Sequence, residues 1–154
     1  MEMQVASPSM IPFWGSEHAF SDRAGLTRPE MTRARRDLGD FGERVAAAHL
    51  EAKGYRIRER NFRTREGEID IIAEYDGVLV FVEVRTRRGG SRGTAAESIT
   101  ARKAAHLLAA AQAYAQANPG CPAEQRIDVI AVELAPDGRL VSLEQIEGAV
   151  TDVS

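Results

Sequence analysis

The dipeptide Asp76-Gly77 lies between two apolar runs in residues 67–87, GEIDIIAEYDGVLVFVEVRTR, and it constrains the chain more than any other feature. Asp-Gly accepts the positive φ that both central positions of a type I′ turn require, and that turn closes a two-residue β-hairpin. Tyr75 then pairs with Val78. Carried back along both strands, the same pairing sets Asp70 opposite Glu83 and Glu68 opposite Arg85. Ile69, Ile71, Val82 and Val84 argue that this stretch is buried. Two carboxylates so placed, with Cβ atoms about 5 Å apart, repel by roughly 3 kcal/mol at an effective dielectric of about 20, and desolvation adds to that cost. Three devices relieve it: one carboxyl stays protonated, a lysine or arginine neutralises the pair, or a divalent cation bridges it. Hard oxygen ligands at this separation suit Mg²⁺ or Mn²⁺, which bind few carboxylates and keep several waters. The competing reading places both acids at wet strand ends, with no metal.

Around the hairpin the periodicity defines an α/β domain with a mixed sheet. Residues 37–53 read as a helix capped by Asp37 or Asp40, with Phe41, Val45, Ala48 and Ala52 as its apolar stripe and Gly54 as its stop. Residues 55–63 read as a strand with Tyr55 and Ile57 on one face and Arg56, Arg58 and Arg60 on the other. Residues 89–97 form a flexible loop, and 100–117 a second helix ended by Asn118-Pro119-Gly120. A strand over 126–134, a turn at 136–138 and a short closing helix over 143–150 complete the domain. Residues 1–36, broken by Pro8, Pro12, Gly15, Gly25 and Pro29, read as a disordered N-terminal tail, so the folded domain spans 37–154.

Composition narrows the partners. The 154 residues suffice for one domain with its own core, and a net charge of −3 does not mark a nucleic-acid binder. The charge is uneven, however. Residues 56–103 hold eleven Lys/Arg against eight Asp/Glu, and residues 104–154 hold two against seven, which permits a local phosphate-binding face. No apolar run approaches the ~20 residues of a membrane span. Cys121 is the only cysteine, so no intrachain disulfide forms and a reducing, cytoplasmic setting fits.

GERVAAAHL in the first helix, GYRIRERNFR, and then GEIDII with FVEVRTR together resemble the YraN-type family of proposed endonucleases, over residues 37–150. That family resembles the PD-(D/E)xK nuclease superfamily and, within it, Holliday-junction resolvases. The resemblance implies a restriction-endonuclease-like three-layer domain, a central mixed sheet flanked by helices. It implies a Mg²⁺- or Mn²⁺-dependent endonuclease that hydrolyses phosphodiester bonds in DNA, with branched DNA among its substrates and a homodimer as its assembly. The superfamily pattern maps onto Asp70, Glu83 and Glu43 as metal ligands and catalytic acids, with the carbonyl of Val84 as a further ligand.

One position departs. Arg85 stands where the motif has lysine, and a guanidinium that stays protonated cannot act as a base. Arg85 can still hold a phosphate, or pair with Glu68. Lys103, on the stripe continued by Leu107, Ala110 and Tyr114, is the candidate substitute, unless its stem merely covers the core. Arg87, Arg88 and Arg92 make a mobile basic loop suited to a phosphate backbone. Asp128 reads as a polar rim residue or as support for the site. The alternative function is a catalytically inactive nuclease fold that binds DNA or scaffolds other proteins.

Overall fold

The computed structural model describes residues 25–89 and 96–151. The first helix, α1, spans Arg28–Ala52. It starts well before the expected Asp37, and neither Asp37 nor Asp40 caps it. The start is a capping box in Thr27-Arg28-Pro29-Glu30. The Thr27 N–H donates to Glu30 Oε2 at 2.9 Å, and the Glu30 N–H donates to Thr27 Oγ1 at 3.4 Å. Pro29 sits in the first turn, where its missing N–H costs nothing, so it extends the helix rather than breaking it. Residues 1–24 of the expected tail lie outside the described residues. The chain divides into two units after Asp37, and the fold described next is that of Leu38–Ser154.

Five strands form one sheet in the order β1-β2-β3-β4-β5. They are β1 (Arg56–Arg63), β2 (Glu68–Tyr75), β3 (Val78–Arg88), β4 (Glu124–Leu134) and β5 (Leu140–Val150). Only β3 and β4 run parallel, and a parallel neighbour needs a crossover. Helix α2 (Ala101–Ala117) supplies it; the Thr100 hydroxyl caps its first turn by accepting from the Lys103 N–H at 3.0 Å. The hairpin is as the sequence predicts: Asp76 and Gly77 have φ of 51° and 76°, and Tyr75 pairs with Val78.

A helix packs on each face of the sheet, giving three layers. On one face Ala46, Ala47 and Leu50 of α1 meet Ile71, Val80, Val82 and Ile130. On the other, Leu107, Ala110, Ala111 and Tyr114 of α2 meet Ile72, Leu79, Phe81 and Ile127. The α1 stripe is rotated from the expected one. Ala48 and Ala52 are exposed, and Gly42 joins the buried face. Among the described residues no helix is long and apolar enough to cross a membrane.

The expected closing helix over 143–150 is instead the edge strand β5, antiparallel to β4. Leu143 packs with the α1 layer and Val150 with the α2 layer, so their helix-like spacing in the sequence marks no common face. Arg87 and Arg88 are not loop residues either. β3 continues through them, in register with Glu133 and Leu134 of β4. Arg92 lies outside the described residues.

Candidate functional site

The site is built where β2 and β3 part. Their ladder runs from Tyr75↔Val78 to Ile71↔Val82 and stops one step short of the expected Asp70–Glu83 pair. Beyond the fork, β2 pairs only with β1, while β3 stays paired with β4 through Arg88. Asp70 fills the gap: its Oδ2 accepts the Val84 N–H at 2.8 Å, the bond a main-chain carbonyl would otherwise take. The two acids stay close enough to interact, and the Asp70 charge acts on the Glu83 carboxyl. Two adjoining carboxylates relieve their repulsion if one takes up a proton.

Burial explains why one does. Only 5% of Glu83 is exposed. Burial first, and the neighbouring Asp70 charge second, push its carboxyl up to about 7. Lys103 Nζ lies 3.6 Å from one Glu83 oxygen and Arg85 Nε 3.3 Å from the other, and both oppose the rise without cancelling it. Burial likewise raises Asp70 above the usual carboxylate range, against the Val84 hydrogen bond and the Lys103 charge. Two of the three expected devices thus operate together, protonation and cationic neighbours. The expected Glu68–Arg85 pair is replaced by Glu83–Arg85. Arg85 Nε is buried, and its approach to Glu83 lacks hydrogen-bond geometry, which leaves a donor for another acceptor.

Glu43 reaches this region because Gly42 lets α1 lie against β3. A Cβ at Gly42 would fall 1.8 Å from Thr86 Oγ1. Burial and then the Asp70 and Asp40 charges raise the Glu43 carboxyl, opposed by Arg60 and by the Asn61 side chain. On the other face, a Cβ at Gly67 would fall 2.9 Å from the His106 carbonyl oxygen, so glycine there seats the start of β2 against α2. The expected basic face of β1 divides at a bulge between Ile57 and Glu59. Arg58 donates to the Tyr114 hydroxyl of α2 at 2.9 Å and pairs with Glu74, while Arg60 acts on Glu43 of α1.

Among the described residues no group of three or more His, Cys, Asp or Glu side chains gathers closely enough to hold a metal. Asp70 and Glu83 form a pair, with Glu43 set back from it. The donor set still fits a small divalent cation. Two adjoining carboxyl groups, both raised by burial, supply hard oxygen ligands, and a cation that keeps several waters needs no third close ligand. Asp128, expected at the rim, is fully buried and belongs to a separate network with Arg126, Gln145 and Gly148. Asn61 had not been singled out. Its signal, a positive φ inside a strand, is invisible in the residue string.

An α/β domain that gathers acids from two parting strands and basic groups from β3 and a crossover helix is the class this geometry defines. Within it, residues 42–132 match the uncharacterised protein family UPF0102, and the chain belongs to that family. It is 48% identical over 124 residues to a UPF0102 protein of Roseiflexus castenholzii, covering 79% of this chain and 99% of that one. It is 51% identical over 105 residues to a UPF0102 protein of Symbiobacterium thermophilum, covering 68% and 89%. A third relative, from Dehalococcoides mccartyi, is 43% identical over 119 residues, covering 77% and 98%.

Proposed function

We propose that this protein is a YraN-type nuclease of the PD-(D/E)xK kind, a Mg²⁺- or Mn²⁺-dependent endonuclease acting on DNA. The observation that carries the reading is the adjoining Asp70 and Glu83 carboxyl groups at the β2–β3 fork, Glu83 buried and Asp70 half-buried, with Lys103 and Arg85 each within 4 Å of Glu83. Asp70 and Glu83 would hold the cation, with Glu43 contributing through water. A bound cation would lower the pKa of a coordinated water and offset charge on the scissile phosphate. The chain's own groups do the rest. Asp70, tied to the Val84 N–H, is fixed in direction before any ligand arrives. Lys103 and Arg85 face the charge that grows on the phosphoryl oxygens as water attacks and the leaving oxygen departs. The partly exposed Arg85 guanidinium offers that phosphate donors. Arg87 and Arg88, at the end of β3, lie next along the strand for the flanking backbone.

The test is cleavage of a panel of branched and linear DNAs with Mg²⁺ or Mn²⁺, with Asp70→Ala as control. Metal-dependent cutting that Asp70→Ala abolishes is the expected result. Binding without cutting would instead support a non-catalytic DNA-binding or scaffolding protein, the reading that arginine at position 85 favours. Preference for branched substrates and a dimeric mass would complete the resolvase-like picture.

A further inference from the structure

Two non-glycine residues among those described have positive φ. Asp76 is explained by its turn. Asn61, at φ 55°, lies in the middle of β1, where no turn requires it. Asparagine tolerates this conformation better than most residues, but it remains a strained choice for a strand. Its consequence can be read in the neighbouring pairs. Arg60 stands opposite Ile71, and Phe62 opposite Ile69, in unchanged register. Yet Ile71 packs with the α1 layer while Phe62 and Ile69 pack with the α2 layer. Pairs two residues apart should share a face. Both strands therefore turn over at the intervening pair, which is Asn61 and Asp70, and that pair is missing from the ladder. The turn-over aims Asp70 edgewise into the fork, where it takes the Val84 N–H. The Asn61 carboxamide in turn favours the charged form of the Glu43 carboxyl.

We propose that Asn61 is the positioning residue of the acid cluster: its left-handed backbone turns Asp70 into the β2–β3 fork, and its carboxamide holds Glu43 toward the same point. The purpose rests on the metal-dependent reading, but the geometry does not. Two variants separate the two roles. Asn61→Gly accepts the positive φ and lacks the carboxamide. Asn61→Val resists the positive φ.

In metal-free protein, the amide resonance of Val84 should keep its wild-type position in Asn61→Gly and move in Asn61→Val. Thermal midpoints of Asn61→Gly, Glu43→Gln and the double variant should be non-additive. With Mn²⁺, calorimetry should show Asn61→Gly binding about tenfold more weakly, a loss of about 1.4 kcal/mol, while its metal-free midpoint is unchanged or raised. A strain with no role at the site would move the midpoint alone. Additive midpoints, or Mn²⁺ affinity equal to wild type in Asn61→Gly, would overturn the inference. If Asn61→Val fails to fold, Asn61→Gly and the cycle decide alone. If wild type binds no Mn²⁺, the metal reading falls, and the metal-free cycle still decides the role of Asn61.

Discussion

Two buried acidic sites in one sheet are treated in opposite ways. Asp128 on β4 is fully buried, and each of its oxygens accepts two hydrogen bonds. Oδ1 takes the Arg126 Nε–H at 2.8 Å and the Gly148 N–H at 3.0 Å; Oδ2 takes an Arg126 Nη at 3.0 Å and Gln145 Nε2 at 2.9 Å. The Tyr55 hydroxyl accepts from the same Arg126 and Gln145 and closes the network. Nothing is left over to bind or react. At the fork, by contrast, Glu83 keeps its proton up to about pH 7, and its cations stand 3.3 and 3.6 Å away without neutralising it. The first site joins β4 and β5 to Tyr55, the residue before β1, and serves the fold. The second leaves its acid incompletely compensated, holding a proton where the first holds four hydrogen bonds. Burial of an acid therefore does not mark function; burial without full compensation does.

The largest expected effect lies at the satisfied site. Asp128→Ala strands Arg126 and Gln145, and breaking a buried pair in this way costs about 3–5 kcal/mol. Urea unfolding checks it, and Mn²⁺ affinity should be unchanged in whatever fraction stays folded. A loss below about 1 kcal/mol, the range of exposed pairs, would erase the contrast between the sites.

The fork should behave in the reverse sense. The folded chain binds the Glu83 proton more tightly than the unfolded chain, since the carboxyl rises from 4.5 to about 7. Its contribution to stability is therefore fully present below pH 4.5 and is lost as pH rises through about 7. Above that, metal-free protein carries a penalty of about 3 kcal/mol. Glu83→Gln should flatten the pH profile and raise stability on the alkaline side. An unchanged urea midpoint for Glu83→Gln above pH 7 would show that the carboxylate is relieved by water after all.

These contrasts were partly legible in the residue string. The Asp76-Gly77 hairpin was, because turn type and alternation are local, and so was Lys103 on the stripe of Leu107 and Tyr114. The start of α1 is legible in Thr27 and Glu30, which form a capping box, although Pro29 by itself reads as a breaker. β5 was not decidable, because Leu143, Ile146 and Val150 fit a helical period and only pairing with β4 settles the matter. Nor was the Asp128 network, whose partners come from β5 and the residue before β1, far away in sequence. The turn-over at Asn61 needed three dimensions.

A somewhat smaller effect separates the two acids from their surroundings. Mn²⁺ should stabilise the wild type by about 2.7 kcal/mol at a hundredfold excess over its dissociation constant. Because the cation displaces the Glu83 proton, affinity should rise with pH through about 7. Thermal shift and calorimetry on wild type, Asp70→Asn and Glu83→Gln check both points. Unchanged binding in both variants would place the cation elsewhere.

The smallest effect on stability belongs to the cations beside Glu83. Lys103 and Arg85 are 29% and 32% exposed, and each ion pair is long, so Lys103→Ala should alter stability by no more than about 1 kcal/mol. Cleavage should respond out of proportion. Losing one group that acts mainly on the transition state costs about 10²–10³ in rate, with DNA and metal affinities nearly intact. Lys103→Ala is expected to show that split, and Arg85→Ala mainly weaker DNA binding, because the ammonium can approach a phosphate from α2 while Arg85 is confined to the strand that carries Glu83. An exchange of the two phenotypes would assign the chemistry to Arg85. Arg85→Lys sharpens the choice, since it supplies the lysine that the proposed nuclease motif has at this position of β3. A wild type that cuts nothing beside an Arg85→Lys variant that cuts would mean that the fork is built but idle in the natural chain, held one substitution from activity by a guanidinium that cannot give up its proton.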